Sequence, residues 1–393
     1  MKYNLILLLL LIFFTSCKID DHWEAYYDFN DQLKTIDINF INKNRYEDGD
    51  GYYLGRLSGV SLDIDDNIYL FDELQSTAIV LNKDGEYLDD LFGPGNGPGE
   101  IHSFSSNTIN LSKNEIILAD GQNFKILKKS IESNDLIEIN YNPSHLETPK
   151  KIIHYKEDEY LFLLSLFGSQ REGGLILNDD AMVHHVDLNG SDISVVNSFI
   201  NRNEIFQVLG YTEGSVSHSF TKGFIGNIAY SNGSIIYAPF VYNNNIFEYK
   251  KDSNNVWKLN SVIKGSDIKR KAYIDIEVDS GNIERGRNLV STSGAFGGTS
   301  GYINRRNIGV YTIGNDYLAV FFVEEFDVGE AFMQSLYVEI FDHNFNFKGV
   351  SNLLNGSNGE IMWSVDWKDR DDNFYLIIWG DIHYIIKFSM QII

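Results

Sequence analysis

Two acidic clusters, one near each end of the chain, are the first candidates for chemistry. Each alternates carboxylates in the way that oxygen ligands of Ca²⁺ alternate, and together they comprise Asp63, Asp65 and Asp66, and Asp369, Asp371 and Asp372. Neither cluster continues into the Gly and the distant Glu of an EF-hand loop. Because Asp and Asn also cap their own backbone in tight turns, turn formation explains both clusters. We therefore predict turns with no metal site and no cofactor, and calcium is the alternative.

The histidines form no catalytic or metal-binding motif in the sequence. The nine of them lie at positions 22, 102, 145, 154, 184, 185, 218, 343 and 383. No pair has the spacing of two ligands on one helical face, and the adjacent His184 and His185 would point to opposite faces of a strand. No Gly-x-Ser-x-Gly elbow surrounds a serine. We assign no catalytic residue, although His and Asp from distant segments could still converge in the folded chain.

A stretch from residue 264 to 306 carries excess positive charge in an otherwise acidic protein. It holds eight Lys and Arg against five Asp and Glu, and residues 291–301 are small except for Phe296. One interpretation is a solvated loop of balanced charge. The other is a lid that offers cations to an anionic ligand and an aromatic contact. The candidate ligand-binding residues are Arg285, Arg287, Phe296, Arg305 and Arg306.

The segment Leu91–Ile101 is glycine-rich, as phosphate-binding loops are. It lacks the Gly-Lys-Ser/Thr ending of such loops, and Pro94 and Pro98 lack the backbone N–H groups that would contact a phosphate. No helical pattern follows it. We interpret it as a structural turn in which a carboxylate accepts hydrogen bonds from backbone N–H groups. Its members are Gly93, Gly95, Gly97, Gly99 and the capping residue Glu100.

The single cysteine lies at the end of an N-terminal targeting segment. Lys2 precedes the apolar run Leu5–Phe14, and Thr15-Ser16-Cys17 follows. Ten apolar residues in a helix reach about 15 Å, half of a bilayer core, so the run is typical of a secretory signal peptide. The ending resembles the signal of bacterial lipoproteins, which implies cleavage before Cys17 and its acylation, palmitate included. The alternative is an ordinary secreted protein with one free thiol.

The resemblance to lipoproteins also implies a location. Residues 18–21, Lys-Ile-Asp-Asp, resemble the tag of surface-exposed lipoproteins in Bacteroidetes. We expect a signal peptide over residues 1–16, and the lipidated cysteine with a polar tether over 17–33. The protein would be attached to the membrane through its lipid anchor. We expect it in the bacterial cell envelope, as an outer-membrane lipoprotein exposed at the cell surface.

Composition sets bounds on the rest of the chain. The 393 residues include 55 acidic and 32 basic side chains, for a net charge of −23. Such acidity argues against a nucleic-acid partner, because phosphate contacts require clustered Lys and Arg. Hydrophobic residues make up 43% and aromatic residues 14% of the chain, which is enough for a sizeable core. With one cysteine, no internal disulfide can form.

Residues 34–393 have the pattern of an all-β domain. Short runs of Ile, Val, Phe and Tyr alternate with turn residues, and long helical periodicity is missing. Asp63–Tyr69 and Asp369–Tyr375 share the pattern Asp-x-Asp-Asp-Asn-apolar-Tyr, with weaker copies between them. The equivalent marker positions are Asn67, Glu115, Glu159, Ser234, Asp316 and Asn373, at intervals of 48, 44, 75, 82 and 57 residues.

The first two intervals match one propeller blade of about 40–50 residues. We predict a six-bladed β-propeller of four-stranded antiparallel blades, with an insertion around 264–306. Seven or eight blades are the alternative if a long interval hides another unit. An early strand over Ile36–Ile41 would pair with the last unit and so close the ring.

The residues around the glycine turn are similar to those of a known family. Asn67–Asp72, Ile79–Tyr87 and Leu91–Ile101 resemble the six-bladed β-propeller lipoproteins of Bacteroidetes, which are propellers of the NHL/TolB-like type. The resemblance implies the fold and the envelope location, and it implies no activity. We expect a propeller that binds a glycan, a peptide or a partner protein. The alternative is a propeller hydrolase or lyase that acts on a saccharide or peptide in the central funnel.

Overall fold

Short apolar runs bounded by Gly, Asn and Asp become strands throughout the chain, as the sequence predicts. The computed structural model describes residues 35–141, 148–164, 181–190, 192–210, 226–276, 289–291, 300–328, 331–357 and 359–393. One helix that the sequence analysis missed, α1 (Arg202–Leu209), interrupts the strands of the described chain. Asn201 caps its first turn by accepting from the N–H groups of Asn203 and Glu204, and Gly210 ends it with φ of +66°.

Six sheets of four antiparallel strands form the blades, and the strands of each blade are named from the innermost to the outermost. Blade 1 contains β2 (Leu57–Leu62), β3 (Ile68–Asp72), β4 (Thr77–Leu81) and β5 (Tyr87–Leu91). Blade 2 contains β6 (Phe104–Asn110), β7 (Glu115–Asp120), β8 (Lys125–Ser130) and β9 (Leu136–Asn140). Blade 3 contains β10 (Pro149–Lys156), β11 (Glu159–Leu164), β12 (Ala181–Asp187) and β13 (Ser194–Asn201).

The second half of the ring follows the same order. Blade 4 contains β14 (Asn227–Ser231), β15 (Ser234–Ala238), β16 (Asn245–Lys251) and β17 (Trp257–Lys264). Blade 5 contains β21 (Arg305–Ile313), β22 (Tyr317–Val328), β23 (Ala331–Asp342) and β24 (Phe347–Asn355). Blade 6 contains β25 (Ile361–Lys368), β26 (Asn373–Trp379), β27 (Tyr384–Ile392) and, as its outermost strand, β1 (Ile38–Tyr46).

The predicted six-bladed propeller and its closure are confirmed. Each of the six marker positions is the first residue of the second strand of a different blade or, for Asn67 and Asp316, the residue just before it. Strand β1 pairs antiparallel with β27, from Ile38 opposite Ile392 to Tyr46 opposite Ile385, so the two ends of the chain share one sheet. The 82-residue interval contains no seventh blade among the described residues. Its extra strands β18 (Tyr273–Ile276), β19 (Leu289–Ser291) and β20 (Ser300–Ile303) form a separate small sheet.

The hydrophobic core lies between neighbouring blades. Every residue of Ile68–Asp72 is buried, because the blades on either side cover both faces of the second strand. Blades 5 and 6 meet through aromatic rings, with the centroids of Phe321 and Phe374 at 5.1 Å in an edge-on arrangement. Phe40 of β1 stacks on Phe388 of β27 at 4.9 Å, so the closing strand also contributes to the core.

The two edges of the ring differ in the length of their connections. We call the end where the innermost strands begin the upper edge, and the end where they finish the lower edge. Of the connections between strands at the lower edge, the longest spans residues 188–193. Those at the upper edge include residues 92–103, 202–226 and 265–304. Long connections therefore lie at one edge only.

Candidate functional site

The acidic clusters form tight turns at the lower edge. Asp63 Oδ1 accepts from the backbone N–H groups of Asp65 and Asn67 at 2.8 and 2.9 Å, and Asp63 Oδ2 accepts from the Asn67 amide at 2.9 Å. Asp369 accepts from the N–H groups of Asp371 and Asn373 at 3.0 and 2.8 Å. These contacts explain the alternation of Asp and Asn without a metal ion. Among the described residues, no three His, Cys, Asp or Glu side chains are grouped as metal ligands would be.

The glycine-rich segment connects β5 of blade 1 to β6 of blade 2 at the upper edge. Glu100 Oε2 accepts from the Gly97 N–H at 2.7 Å, and the Ile101 N–H donates to the Gly93 carbonyl at 2.8 Å. Gly95 and Gly99 have φ of +153° and +76°, and Gly99 donates to Glu138 of blade 2 at 2.6 Å. The segment therefore has the geometry of a turn between blades, and the N–H groups of Gly95, Gly97 and Gly99 are engaged within the protein.

Arg305 and Arg306 are the only two of the five candidate ligand-binding residues that lie in the described part of the chain. They start β21, and both are buried. Arg305 Nε donates to Glu324 Oε2 at 2.7 Å, and Arg306 Nε donates to Glu325 Oε1 at 3.1 Å. Arg306 also donates to the carbonyls of Met362 and Trp363 in blade 6. Both guanidinium groups thus hold parts of the propeller together.

The ion pairs of Arg305 and Arg306 with Glu324 and Glu325 are buried, so each charge depends strongly on its partner. Arg305 is 1% exposed and Glu324 is fully buried, and Arg270 of the 265–304 connection also donates to Glu324. Burial raises the pKa of Glu325, and the neighbouring Arg306 partly offsets that shift. The network attaches the start of the long upper connection to blade 5.

The other residues to which the sequence analysis gives a role lie outside the described residues. They are Cys17 with the signal and tether segments, and Arg285, Arg287 and Phe296 of the proposed lid. The described chain begins beside the outermost strand of blade 5, where the Ile36 N–H donates to the Val350 carbonyl at 3.1 Å. No helix in the described part of the chain has the length and apolarity needed to cross a membrane.

Polar side chains from all six blades lie along the innermost strands. We call this set, one residue per blade, the axial ring: Ser61, Asn107, Lys151, Asn227, Asn307 and Asp366. Hydrogen bonds connect three of its six neighbouring pairs: Asn107 Nδ2 lies 3.4 Å from Ser61 Oγ, Lys151 Nζ donates to Asn227 Oδ1 at 2.8 Å, and Asn227 Nδ2 donates to Asn307 Oδ1 at 2.7 Å. The Val60 N–H of blade 1 donates to Asp366 Oδ2 at 2.8 Å.

The axial ring holds one cation and one anion on opposite blades. Lys151 belongs to blade 3 and Asp366 to blade 6, which are diametrically opposed in a ring of six. Desolvation lowers the pKa of Lys151 and raises that of Asp366, and each charge partly counteracts the shift of the other. Lys151 Nζ reaches Asn227 of blade 4 and Asp366 Oδ2 reaches Val60 of blade 1, so each side chain contacts the innermost strand of the next blade around the axis. Both side chains retain partial solvent exposure.

The described histidines are dispersed over the propeller. His185 lies 2.6 Å from Glu159 in blade 3, and desolvation lowers its pKa despite the carboxylate. His184, its neighbour on β12, contacts Ser198 at 2.6 Å. His383 lies at the upper edge of blade 6, where its ring stacks near Trp379. These contacts place the three side chains in separate environments and not in one joint site.

The sequence analysis missed the charged residues of the axial ring. Each ring residue precedes the marker of its own blade by six to nine residues: Lys151 by eight and Asp366 by seven. The blade markers therefore contained a signal, because a charged residue lies six to nine positions before a marker, where the innermost strand is expected. It was overlooked because Lys151 follows another lysine and Asp366 lies near the acidic cluster at 369–372, so neither stands out locally.

Comparison with known proteins assigns the chain to a family. The family model for DUF5128, described as a 6-bladed β-propeller, matches residues 33–295, which is more than half of the chain. The protein therefore belongs to this family of six-bladed β-propellers. No curated protein matches its sequence.

Solved structures of low sequence identity share the fold. One is a protein of Bacteroides fragilis assigned as exported, at 12% identity and a TM-score of 0.51, over 91% of this chain and 95% of that one. Another is a member of the DUF4221 family from Bacteroides vulgatus, at 9% identity and a TM-score of 0.52, over 92% of this chain and 100% of that one. At such identity the likeness concerns the fold alone.

Proposed function

We propose that the protein is a lipid-anchored β-propeller of the bacterial cell envelope that binds a ligand at its upper edge. The observation that carries the binding proposal is the axial ring, where Lys151 and Asp366 bring opposite charges to the innermost strands of opposite blades. Lys151, Asn227 and Asn307 are each among the first three residues of their strands, so this part of the ring lies near the upper edge, whereas Asp366, the sixth of eight residues in β25, lies farther from it. Ligand sites commonly combine a concave surface with a few convergent polar groups.

The envelope location is supported by the N-terminal sequence. The apolar run that ends at Cys17 resembles a lipoprotein signal, and the structural relative from Bacteroides fragilis is assigned as exported. The described chain enters β1 at the lower edge, since Ile38 pairs with Ile392 at the end of β27. A tether from Cys17 would reach the propeller from that side, which leaves the upper edge accessible to ligands.

Binding is favoured over catalysis by the hydrogen bonds of the two charges. Lys151 donates to a neutral amide, and Asp366 accepts from a backbone N–H with the Ser364 hydroxyl beside it. No described histidine hydrogen-bonds to Ser364, so this serine lacks the base that would activate it as a nucleophile. A propeller hydrolase or lyase is the competing function. It predicts turnover of a bound saccharide or peptide, which a binding protein does not show.

Anchoring is tested by replacing the only cysteine. In cells fed a palmitate analogue, the wild-type chain should carry the label and fractionate with the outer membrane. Cys17→Ser should lose the label and leave the membrane fraction, because each buried CH₂ of an acyl chain contributes about 0.8 kcal/mol to anchoring. Ser16→Ala, which keeps a small residue before the cysteine, is the control and should behave as wild type. Label retained in Cys17→Ser would contradict the anchor.

Ligand binding is tested by a thermal-shift screen of the full chain in detergent micelles against divalent metals, glycans, amino acids and peptides. A ligand that binds the native state raises the unfolding midpoint by mass action. Positive compounds are then incubated with the protein and analysed for products. A shift without turnover supports binding, and turnover supports the enzyme. A metal-dependent shift that a chelator reverses would restore the calcium alternative.

A further inference from the structure

We propose that the axial ring binds a small zwitterion, such as an α-amino acid or a dipeptide, between Lys151 and Asp366. This inference rests on the proposed binding function and names its ligand class. It requires a ligand that presents an anionic group to blade 3 and a cationic group to blade 6. The neutral amides of the ring would contact the polar atoms between those two charges.

The two charges have hydrogen-bonding capacity left for such a ligand. Lys151 Nζ carries three donors, and its contact within the axial ring, to Asn227, uses one of them. The Asp366 carboxylate can accept about four hydrogen bonds; the Val60 N–H supplies one to Oδ2, and the Ser364 hydroxyl of the same strand lies beside the carboxylate, which still leaves capacity for a ligand. A bound carboxylate and a bound ammonium would add charge-assisted hydrogen bonds, which are the stronger kind.

The arrangement differs from that of a structural ion pair. The buried pair Arg305–Glu324 joins its charges directly, with 2.7 Å between Nε and Oε2. In the axial ring, each charge is instead hydrogen-bonded to a neutral group of an adjacent blade. Desolvating two charges without pairing them is costly, and a ligand that carries both complementary charges would offset both costs at once.

The ring also explains why a zwitterion is favoured over a singly charged ligand. An anion would pair with Lys151 and leave the desolvated Asp366 without a cation, and a cation would do the reverse. Lys151 donates to the amide of Asn227, which in turn donates to the amide of Asn307 at 2.7 Å. These amides hold their orientation and would position the polar atoms of the ligand.

The test is isothermal titration of the full chain in detergent micelles with the twenty L-amino acids and their glycyl dipeptides. At least one probe should bind. Its N-acetylated analogue, which lacks the cation, and its C-terminal amide, which lacks the anion, should each bind about tenfold or more weakly. The inference is overturned if no probe binds, or if a singly charged analogue binds as tightly as the zwitterion.

Charge-removing variants of the ring give the second measurement. Lys151→Gln keeps a donor toward Asn227, and Asp366→Asn keeps an acceptor for the Val60 N–H, so both should retain the fold. Each should weaken zwitterion binding about tenfold or more. The exposed neighbours supply matched controls, Lys150→Gln on the same strand and Asp371→Asn in the adjacent turn, and these should bind as wild type.

The outcome separates this inference from the proposed function. If a glycan or another compound from the thermal-shift screen binds wild type and both ring variants equally, the binding function stands and the zwitterion site is wrong. If both ring variants lose zwitterion binding while their unfolding midpoints stay near wild type, the site is established. If neither the screen nor the titration yields a ligand, both proposals fail.

Discussion

The lower and upper edges of the propeller are built in opposite ways. At the lower edge, tight turns satisfy their own backbone groups through side chains of the turn itself, as Asp63, Asp369 and Asp342 each do. At the upper edge, the connections extend to 265–304, and their contacts cross between blades and over long distances in the chain. Both edges have contacts between blades, but the Arg370–Asp66 pair that joins two blades at the lower edge is exposed, whereas Arg305 and Glu324 of the upper network are buried.

The difference between the two edges indicates where this fold can accommodate a functional site. A turn of a few residues that satisfies itself has little capacity for change without losing its own hydrogen bonds. A long connection that a buried network attaches to the propeller can vary in sequence at its other residues without losing that attachment. The long upper connections, the proposed lid and the upper end of the axial ring all lie on the second kind of edge.

The largest expected effect comes from breaking the upper network. Glu324→Ala removes the acceptor of Arg305 and Arg270 and leaves the fully buried Arg305 charge without its carboxylate. Such a change should lower the free energy of unfolding by about 3–5 kcal/mol. Urea denaturation measures it. The matched control is Arg370→Ala, which removes the exposed lower-edge pair with Asp66 and should leave the urea denaturation midpoint near that of wild type. Equal losses in both variants would contradict the comparison.

The lower edge should respond to loss of a turn carboxylate. Asp63→Ala removes the acceptor for two backbone N–H groups and for the Tyr69 hydroxyl, which lies 3.0 Å from Oδ2. We expect a loss of about 1–3 kcal/mol in urea denaturation. Asp65→Ala in the same turn should stay near wild type, because that side chain is exposed. If Asp63→Ala were as stable as Asp65→Ala, the carboxylate would not be what stabilises the turn.

The lower turns should also be sensitive to acid. Hydrogen bonds from the Asn346 backbone and side chain, together with Lys348, hold the pKa of Asp342 well below its usual range. A carboxyl group whose pKa is lower in the folded than in the unfolded state stabilises the fold above its unfolded pKa of about 3.9, and it loses that contribution as the pH falls. Asp342→Asn should therefore melt below wild type at pH 7, and the two curves should converge toward pH 2. A constant difference across that range would exclude the titration of Asp342 as the cause.

The smallest expected effect on stability is at the proposed lid. Arg285→Ala combined with Arg287→Ala should leave the unfolding midpoint unchanged and weaken binding of any anionic or zwitterionic compound found in the thermal-shift screen. Exposed cations that recognise a ligand contribute to affinity more than to the fold. Titration of the double variant measures the change. Affinity equal to wild type would remove the lid from the site.

Much of the fold could be predicted from the sequence, because its signals are local. Turn residues and apolar runs within about ten positions define each strand, and the repeated Asp-x-Asp-Asp-Asn pattern sets the blade interval. The helix Arg202–Leu209 was missed because its eight residues are too few for a clear periodicity. Arg305 and Arg306 were read as lid cations from charge alone, and the structure places them in buried pairs with Glu324 and Glu325.

The sequence by itself determined the all-β class and the tight turns of Asp63 and Asp369, since these depend on residues that are close in the chain. Its unevenly spaced blade markers predicted a closed ring of six blades and left seven or eight as the alternative. Only the tertiary structure decided which polar residues share the axis. The Val60 N–H meets Asp366 across 306 positions, and Lys151 meets Asn227 across 76. Such contacts depend on how the six blades close around one another, and no local pattern in the sequence encodes that geometry.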